Sequence, residues 1–406
     1  MTNTRAPSSR GLRRKMVDDL EASGAIGSAA VRRAFLAEPR ERYVPEIAER
    51  DGLEAIYRPG AALVTATDRR GLPISSSSAP GVMAPMLEAL DLHPGLRVLE
   101  VGTGTGYNAA LLSRLVGQRG HVTSVELDPD IARKARRILK TNRHPVTVVT
   151  GDARLGWAAR APFDRIIVTA SSDSIPRSWR DQLNDGGLVV FPFRFPGLVT
   201  QAIFSLRREA AILRSTRIIP GGFMALRSSG ETEAPIVPKA SLNSFVISRG
   251  ERSNLVLLSG LPINSLSENQ RRALLRAVLS QVRRLNTMSG PRALGLLMFL
   301  QLHPKSQTIQ CALGKRFGGG LVGPRGQGFA AVTYAFGQRG RIEAWGERAA
   351  EEALMALVEE WQGIGRPTLD RFSMTASYDR AASKSDAVWR QLDVGEASVR
   401  LSWSHP

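Results

Sequence analysis

Residues 96–107 read LRVLEVGTGTGY, and this stretch decides the fold class. Its apolar first half is typical of a short buried strand, and the following NAALLSRLV is typical of a helix. Between them, Gly102, Gly104 and Gly106 allow the backbone to turn tightly and approach a ligand closely. The spacing GxGxG differs from the GxGxxG of nicotinamide sites, and no GK[ST] of a phosphate-binding P-loop follows.

Strands and helices keep alternating after this motif. HVTSVEL, VTVVTGDA, FDRIIVTAS and LVVFPF are strand-like, and DPDIARKARRILKTN is a helical segment between the first two. Such alternation predicts parallel βαβ units in a doubly wound α/β sheet. The pattern ends near Arg208, so we predict one domain over residues 1–215 and an additional α+β domain over residues 216–406. In the second domain, a capping box at Ser267 predicts the start of a helix.

Acidic residues follow two of the predicted strands. Glu126 lies twenty residues after Gly106, where an acid can accept hydrogen bonds from both ribose hydroxyls, and Asp152 can accept one from an adenine amino group. Alone, Glu126 is equally typical of a surface acid and Asp152 of a helix N-cap. Together with the glycine loop they predict an S-adenosylmethionine site at the carboxyl edge of the sheet. The candidate cofactor-binding residues are Glu100, Gly102, Thr103, Gly104, Thr105, Gly106, Glu126, Leu127, Asp152 and Ala153.

A run of serines precedes the helix before the first of these strands. Residues 72–80 read LPISSSSAP, which we interpret as a polar loop. Its hydroxyls either line an acceptor pocket or cap the next helix, and the candidates for the catalytic role are Ser75, Ser76, Ser77 and Ser78. No His–Asp pair accompanies them at a recognisable spacing, which argues against a serine hydrolase.

Composition limits the partners. The net charge of +18 is divided evenly, +9 on residues 1–215 and +9 on residues 216–406, without a basic block, which disfavours nucleic acid. One cysteine and five scattered histidines give no pattern of metal ligands. The chain lacks the roughly 18–20 consecutive apolar residues of a membrane span and the apolar core of a secretory signal, so we expect a cytoplasmic protein.

A family resemblance rests on several blocks in order. RERYVP (residues 40–45), SAP (78–80), VLEVGTGTGY, GDARLGW, APFDRIIVTAS, IPRSWRDQL and GGLVVFP resemble the protein-L-isoaspartate O-methyltransferases, over about residues 12–195. The resemblance implies a seven-stranded methyltransferase fold and S-adenosyl-L-methionine as cofactor. It further implies methylation of an isoaspartyl carboxylate in a peptide or protein, followed by collapse of the ester to a succinimide.

The resemblance also suggests roles for individual residues. Ser78 matches the serine that orients the acceptor carboxylate, and Glu100 with the glycines matches the loop at the methionine end. Glu126 and Asp152 match the ribose and adenine contacts, and Ala153 would flank the adenine. Because an aspartyl carboxyl has a pKa of about 4, the acceptor is already ionised and no general base is required.

The chain departs from the family pattern in two places. SSSSAP stands where the family usually has an aliphatic residue before Ser-Ala-Pro, so Ser75, Ser76 and Ser77 can share or replace the role of Ser78. The second domain is extra, and we expect it to recognise peptide or to form a homodimer. The combination resembles the branch that modifies ribosomally made peptides, methylating aspartate in a constrained peptide to give aspartimide or isoaspartate.

Three other functions compete with peptide tailoring. The first is general repair of isoaspartyl proteins. The second, an RNA methyltransferase, is disfavoured because VTASS (residues 168–172) replaces the Asn/Asp-Pro-Pro-aromatic turn after the fourth strand. The third, a binding protein that keeps the fold without activity, conflicts with the intact GxGxG, Glu126 and Asp152.

Overall fold

A computed structural model describes residues 8–69, 71–195, 201–227, 245–247, 256–259, 263, 265–303, 308–314, 316–335, 338–379 and 390–403. The helices are α1 (Ser9–Ala22), α2 (Ala29–Ala37), α3 (Pro45–Asp51), α4 (Leu53–Ile56), α5 (Pro80–Ala89), α6 (Tyr107–Val116), α7 (Pro129–Thr141), α8 (Arg177–Asp181), α9 (Glu268–Val278), α10 (Gly290–Leu302) and α11 (Ala349–Gly363). Short 3₁₀ turns cover Arg40–Tyr43, Ala153–Leu155, Ala158–Arg160, Pro324–Gly326 and Leu369–Arg371.

The strands form a hairpin and two larger sheets. They are β1 (Leu63–Thr67), β2 (Pro73–Ser77), β3 (Arg97–Val101), β4 (His121–Glu126), β5 (Val146–Thr150), β6 (Phe163–Val168), β7 (Leu183–Arg194), β8 (Gln201–Glu209), β9 (Ile212–Pro220), β10 (Phe245–Ile247), β11 (Val256–Ser259), β12 (Arg283–Met288), β13 (Ile309–Leu313), β14 (Arg316–Val322), β15 (Gly328–Tyr334), β16 (Gly340–Gly346), β17 (Phe372–Ser377), β18 (Arg390–Val394) and β19 (Ala397–Trp403).

The first sheet confirms the doubly wound fold. Its strand order is β18-β19-β17-β9-β8-β7-β6-β3-β4-β5. Strands β3 to β7 pair in parallel, and β8 and β9 continue the sheet antiparallel. Four of the five residues of the central strand β3 are buried, because helices cover both faces of a parallel sheet. The carboxyl ends of β3, β4, β5 and β6 therefore meet at one edge.

The C-terminal strands belong to this first sheet as well. Strand β17 pairs with β9, and β19 pairs with β17, so that β17, β18 and β19 extend the expected seven strands, β3 to β9, to ten within the described residues. The domain boundary expected between residues 215 and 216 falls inside β9 (Ile212–Pro220). Strands from residues 216–406 thus complete a sheet that begins in residues 1–215.

The second sheet is antiparallel throughout, with strand order β10-β11-β13-β14-β15-β16-β12. Helix α9 begins after Ser267 with the predicted capping box. The two sheets share one continuous apolar core, to which the first sheet contributes Phe193 and Met374 and the second region contributes Phe299 of α10 and Trp361 of α11. The α+β character predicted for residues 216–406 therefore applies to a region that packs directly on the methyltransferase sheet.

The serine segment differs from its predicted loop. Residues Pro73–Ser77 form strand β2, which pairs antiparallel with β1. Successive side chains of a strand point to opposite faces. Ser75 and Ser77 are therefore both buried on one face, and Ser76 between them is only half-buried. The proline at position 80 then begins α5, where its missing N–H costs nothing.

Two kinds of site are absent from the described residues. None of the helices there is long and apolar enough to cross a membrane. No group of three or more His, Cys, Asp or Glu side chains in the same ranges is arranged to hold a metal ion.

Candidate active site

A cleft lies at the carboxyl edge of the parallel strands, where the sequence places its motifs. The glycine loop forms one wall, and Gly102, Gly104 and Gly106 have φ angles of 90°, 51° and 84°. These left-handed conformations favour glycine. A Cβ at Gly102 would lie 2.8 Å from the hydroxyl oxygen of Thr169, so the loop also needs glycine for space.

Glu126 ends β4 and faces the cleft from beneath this loop. Its Oε2 accepts a hydrogen bond of 2.9 Å from the Gly104 amide, and its Oε1 accepts one of 3.2 Å from the Asp128 amide. A carboxylate offers about four lone-pair sites, so two accepted bonds leave capacity for a ligand hydroxyl. Glu126 thus lies in the cleft, and its contact with a ribose stays a prediction.

Glu100 supports the loop from inside the protein. Its side chain is fully buried, and it accepts hydrogen bonds from Asn108 at 2.8 Å and from the hydroxyl of Ser124. Burial raises the pKa of the Glu100 carboxyl to about 7, against the hydrogen bonds from Ser124 and Asn108, which lower it. Asn108, not Glu100, lines the cleft, and the buried Oδ1 of Asn108 has no hydrogen-bond partner among the described residues.

Asp152 follows β5 and makes the contacts of an N-cap. Its Oδ1 accepts a 3.0 Å hydrogen bond from the Arg154 amide, and its Oδ2 lies 2.5 Å from the Arg154 guanidinium. Gly151 and Ala153, on either side of it, line the cleft. The capping interpretation therefore describes the contacts seen here, and a ligand contact of Asp152 stays a prediction.

The serine segment forms another part of the cleft wall. All four serines, Ser75 to Ser78, line the cleft. A Cβ at Gly104 would lie 3.4 Å from the Ser76 carbonyl oxygen, which shows how closely the strand approaches the glycine loop. The Ser75 hydroxyl accepts a hydrogen bond of 3.1 Å from Thr65, its neighbour across the hairpin. The predicted acceptor serines and the predicted cofactor loop are thus brought together.

Two further parts of the wall were missed from sequence. Thr169 and Ala170 follow β6, and Met224–Arg227 follow β9. Reciprocal hydrogen bonds of 2.7 Å hold the two segments together, from Ser171 N to the Met224 carbonyl and from Leu226 N to the Ser171 carbonyl. The first segment lies within the family-like block APFDRIIVTAS, and the second carries no motif. Its place depends on strand pairing that a sequence pattern does not show.

Parallel strands of this order, with a glycine loop after the central one and an acid ending the next, define an S-adenosyl-L-methionine-dependent methyltransferase. The sequence profile of the "Protein-L-isoaspartate(D-aspartate) O-methyltransferase (PCMT)" family matches residues 11–227. The chain belongs to this family, and its enzyme class is that of a protein carboxyl O-methyltransferase with S-adenosyl-L-methionine as cofactor.

Two sequence relatives agree with the profile. The protein-L-isoaspartate O-methyltransferase of Methanothermobacter thermautotrophicus is 37% identical over 218 residues, which are 53% of this chain and 94% of the relative. That of Ignicoccus hospitalis is 39% identical over 216 residues, 53% of this chain and 96% of the relative. A solved structure of a protein-L-isoaspartate O-methyltransferase aligns over 90% of this chain and 96% of its own, with 24% identity and a TM-score of 0.49.

Proposed function

We propose that the enzyme esterifies the side-chain carboxylate of an aspartyl or isoaspartyl residue in a dedicated, ribosomally made peptide. The observation that carries the proposal is that the serine strand β2 lies directly against the glycine loop and that both line one cleft. The specialisation for a dedicated peptide is supported by the region beyond the family match at residue 227, since its strands extend the catalytic sheet and share its core. Peptide recognition or homodimerisation by that region is part of the same proposal.

The cleft fits the cofactor that the family uses. The positive-φ glycines leave a space beside the loop that a Cβ at Gly102 would partly occupy. The buried Oδ1 of Asn108, which has no partner among the described residues, offers a hydrogen-bond acceptor to the cofactor. Glu126 and the loop residues 102–106 would hold the cofactor, with Gly151 and Ala153 beside its base. When bound, S-adenosyl-L-methionine supplies a methyl group on a positively charged sulfur.

The protein's contribution to the reaction is orientation. The acceptor carboxylate is ionised at neutral pH, so no residue has to remove a proton from it. Serine hydroxyls can donate hydrogen bonds to one carboxylate oxygen and leave the other free to attack. Well-oriented reactants gain about 7–11 kcal/mol over free encounter. Ser77 and Ser78 lie nearest the start of α5, and we assign the orienting role to them, with Ser75 and Ser76 as the remaining candidates.

The ester then reacts within the peptide substrate. The backbone nitrogen that follows the esterified residue attacks the ester carbonyl, a C–N bond forms, and the C–OCH₃ bond breaks. Methanol leaves with the proton of that nitrogen, and a succinimide remains. No residue of the enzyme is required for this ring closure.

A comparison of two substrates tests the proposal. One is a linear peptide with a single isoaspartyl residue, and the other is a conformationally constrained peptide with unmodified aspartate. With labelled cofactor, we expect a methyl ester on the constrained peptide's aspartate, located by tandem mass spectrometry. Methylation of the linear isoaspartyl peptide alone would instead establish general repair, the second candidate, which the family match by itself supports. Methylation of neither would contradict both.

A further inference from the structure

A buried cation behind the serine strand has no carboxylate partner in the ranges that the structure describes. Arg40, in the 3₁₀ turn Arg40–Tyr43, is completely buried. Its Nη1 donates to the Ile56 carbonyl at 2.8 Å, and its Nη2 donates to the Ala61 carbonyl at 3.0 Å. Within the described part of the chain, all its hydrogen-bond acceptors are backbone carbonyls and one hydroxyl, so its charge is solvated by dipoles but not neutralised.

The guanidinium is directed at the serines of the cleft. Nη2 also donates to the carbonyl oxygens of Ser77 at 3.0 Å and Ser78 at 2.8 Å. Burial lowers the pKa of Arg40 to about 10, which still leaves the group charged near neutral pH. A buried charge without a counter-ion is costly, and an anion bound nearby reduces that cost. The Arg40 charge therefore favours binding of an anion at the cleft wall formed by Ser77 and Ser78.

The same contact fixes the direction of one hydroxyl. Nη2 of Arg40 lies 3.3 Å from Oγ of Ser77, and a guanidinium can only donate. The Ser77 oxygen is therefore the acceptor in this pair, which leaves the hydrogen of that hydroxyl to be donated elsewhere. Ser77 is 3% exposed and lines the cleft, so a group bound in the cleft can accept that hydrogen.

We propose that Arg40 is the positioning residue that makes the acceptor site selective for a carboxylate over neutral groups of the same shape. The inference rests on the proposed function, because the anion is the aspartyl or isoaspartyl carboxylate. Arg40 acts through Ser77 and the two serine carbonyls and does not touch the substrate. The Arg40 charge attracts the ionised acceptor. Methylation converts the acceptor to a neutral ester, which Arg40 no longer attracts, and this favours release of the product.

The test compares two peptides that differ only in charge. One carries an isoaspartyl residue and the other the corresponding carboxamide, and both are titrated into enzyme saturated with S-adenosylhomocysteine. For a hydrogen bond from the Ser77 hydroxyl to a charged carboxylate we expect the wild-type protein to prefer the carboxylate by about tenfold or more. Arg40→Met should abolish the preference, and Arg40→Lys, which keeps the charge, should restore part of it. A merely structural role would weaken binding of both peptides in the same proportion.

A matched control uses the same substitution elsewhere. Arg165 also donates to backbone carbonyls, to Leu90 at 2.5 Å and Asp91 at 3.2 Å, but unlike Ser77 and Ser78 neither of those residues lines the cleft. Arg165→Met should keep the wild-type preference. If Arg40→Met keeps it too, the inference is overturned.

A second variant covers the case in which Arg40→Met does not fold. Ser77→Ala leaves the carbonyl contacts of Arg40 but removes the oriented hydroxyl, and it should lose most of the carboxylate preference. An unchanged preference in Ser77→Ala would likewise overturn the inference. If the wild-type enzyme transfers no methyl group to any aspartyl or isoaspartyl peptide, the proposed function is overturned and this inference with it. If the enzyme methylates such a peptide but the variants keep the preference for the carboxylate, the inference alone is overturned.

Discussion

The Glu126 carboxylate accepts a hydrogen bond of 2.9 Å from the backbone amide of Gly104. This contact joins the end of β4 to the loop that follows β3, so two sequence motifs act as one structural unit. The hydrogen bond stabilises the left-handed conformation of the loop at Gly104. Because Glu126 and the loop line the same cleft, a ligand bound against the loop also lies close to Glu126.

Loss of this acid should weaken cofactor binding. Glu126→Ala removes the partner of the Gly104 amide and the proposed acceptor for the ribose hydroxyls. Because hydrogen bonds to charged groups are worth about 1.5–3 kcal/mol, we expect affinity for S-adenosylhomocysteine to fall by about tenfold or more. Calorimetric titration measures this, with Glu21→Ala, an exposed acid of α1, as control. Wild-type affinity in Glu126→Ala would refute the assignment.

Asp152 combines a structural and a proposed binding role, and two variants separate them. Asp152→Ala removes the cap of the turn Ala153–Leu155 and should lower the free energy of unfolding by about 1 kcal/mol. Asp152→Asn keeps a capping oxygen and should stay near wild-type stability. Both should bind S-adenosylhomocysteine more weakly if the carboxylate also contacts adenine. Denaturant unfolding measures the change in stability, and calorimetry measures the change in affinity. Unchanged affinity in both variants would show that Asp152 acts only as the cap of the turn.

The acceptor serines should affect turnover and not cofactor affinity. In the double variant Ser77→Ala, Ser78→Ala, the carboxylate loses its orienting donors, and misplacement of a reacting group can cost about a hundredfold in rate. We therefore expect a large decrease in kcat with an almost unchanged Kd for the cofactor. Ser280→Ala, at an exposed serine after α9, is the matched control. Equal losses in both quantities would contradict the orienting role.

Stability should fall as the pH rises toward neutrality because of Glu100. Burial raises the pKa of this carboxyl from 4.5 to about 7, so between these values the folded protein binds a proton that the unfolded chain has lost. The stabilisation is complete below pH 4.5 and is lost as the pH passes 7, and its size is on the order of 3 kcal/mol. Glu100→Gln should flatten this dependence in urea unfolding between pH 5 and 8. A variant with the wild-type slope would show that another group is responsible.

The shared core predicts that both sheets unfold together. Phe299 lies fully buried in α10 within the cluster that includes Phe193 and Met374 of the first sheet. Phe299→Ala should cost about 3–5 kcal/mol of unfolding free energy. Scanning calorimetry of the variant should show a single transition at a lower temperature than in wild type. S-adenosylhomocysteine should raise this transition temperature in the variant as it does in wild type. Two separated transitions would indicate independently folding regions.

Much of the catalytic half could be predicted because its signals are local. The apolar strand before Gly102, the alternation of strands and helices and the acid at position 126 each depend on neighbouring residues, and each is found where expected. The serine strand was missed because SSSS has no alternation of apolar and polar residues, and its strand form depends on pairing with β1. Met224–Arg227 were missed for a similar reason, since they reach the cleft through contacts with Ser171.

The joining of the C-terminal strands to the first sheet could not be predicted from sequence. Strand β17 pairs with β9 over a separation of more than 150 residues, and strand propensity carries no information about the partner. The role of Arg40 was hidden for a different reason. Its motif RERYVP was recognised as a family block, but only the fold brings its guanidinium to the carbonyls of Ser77 and Ser78.

The central claim is that the serine strand holds the acceptor carboxylate beside the glycine loop. A crystal structure of the enzyme with S-adenosylhomocysteine and an isoaspartyl or aspartyl peptide tests it most directly. We predict that a carboxylate oxygen lies within hydrogen-bonding distance of the Ser77 or Ser78 hydroxyl, with the cofactor sulfur facing its other oxygen. A peptide carboxylate bound away from these serines, or a cofactor bound away from Gly102–Gly106, would contradict the account.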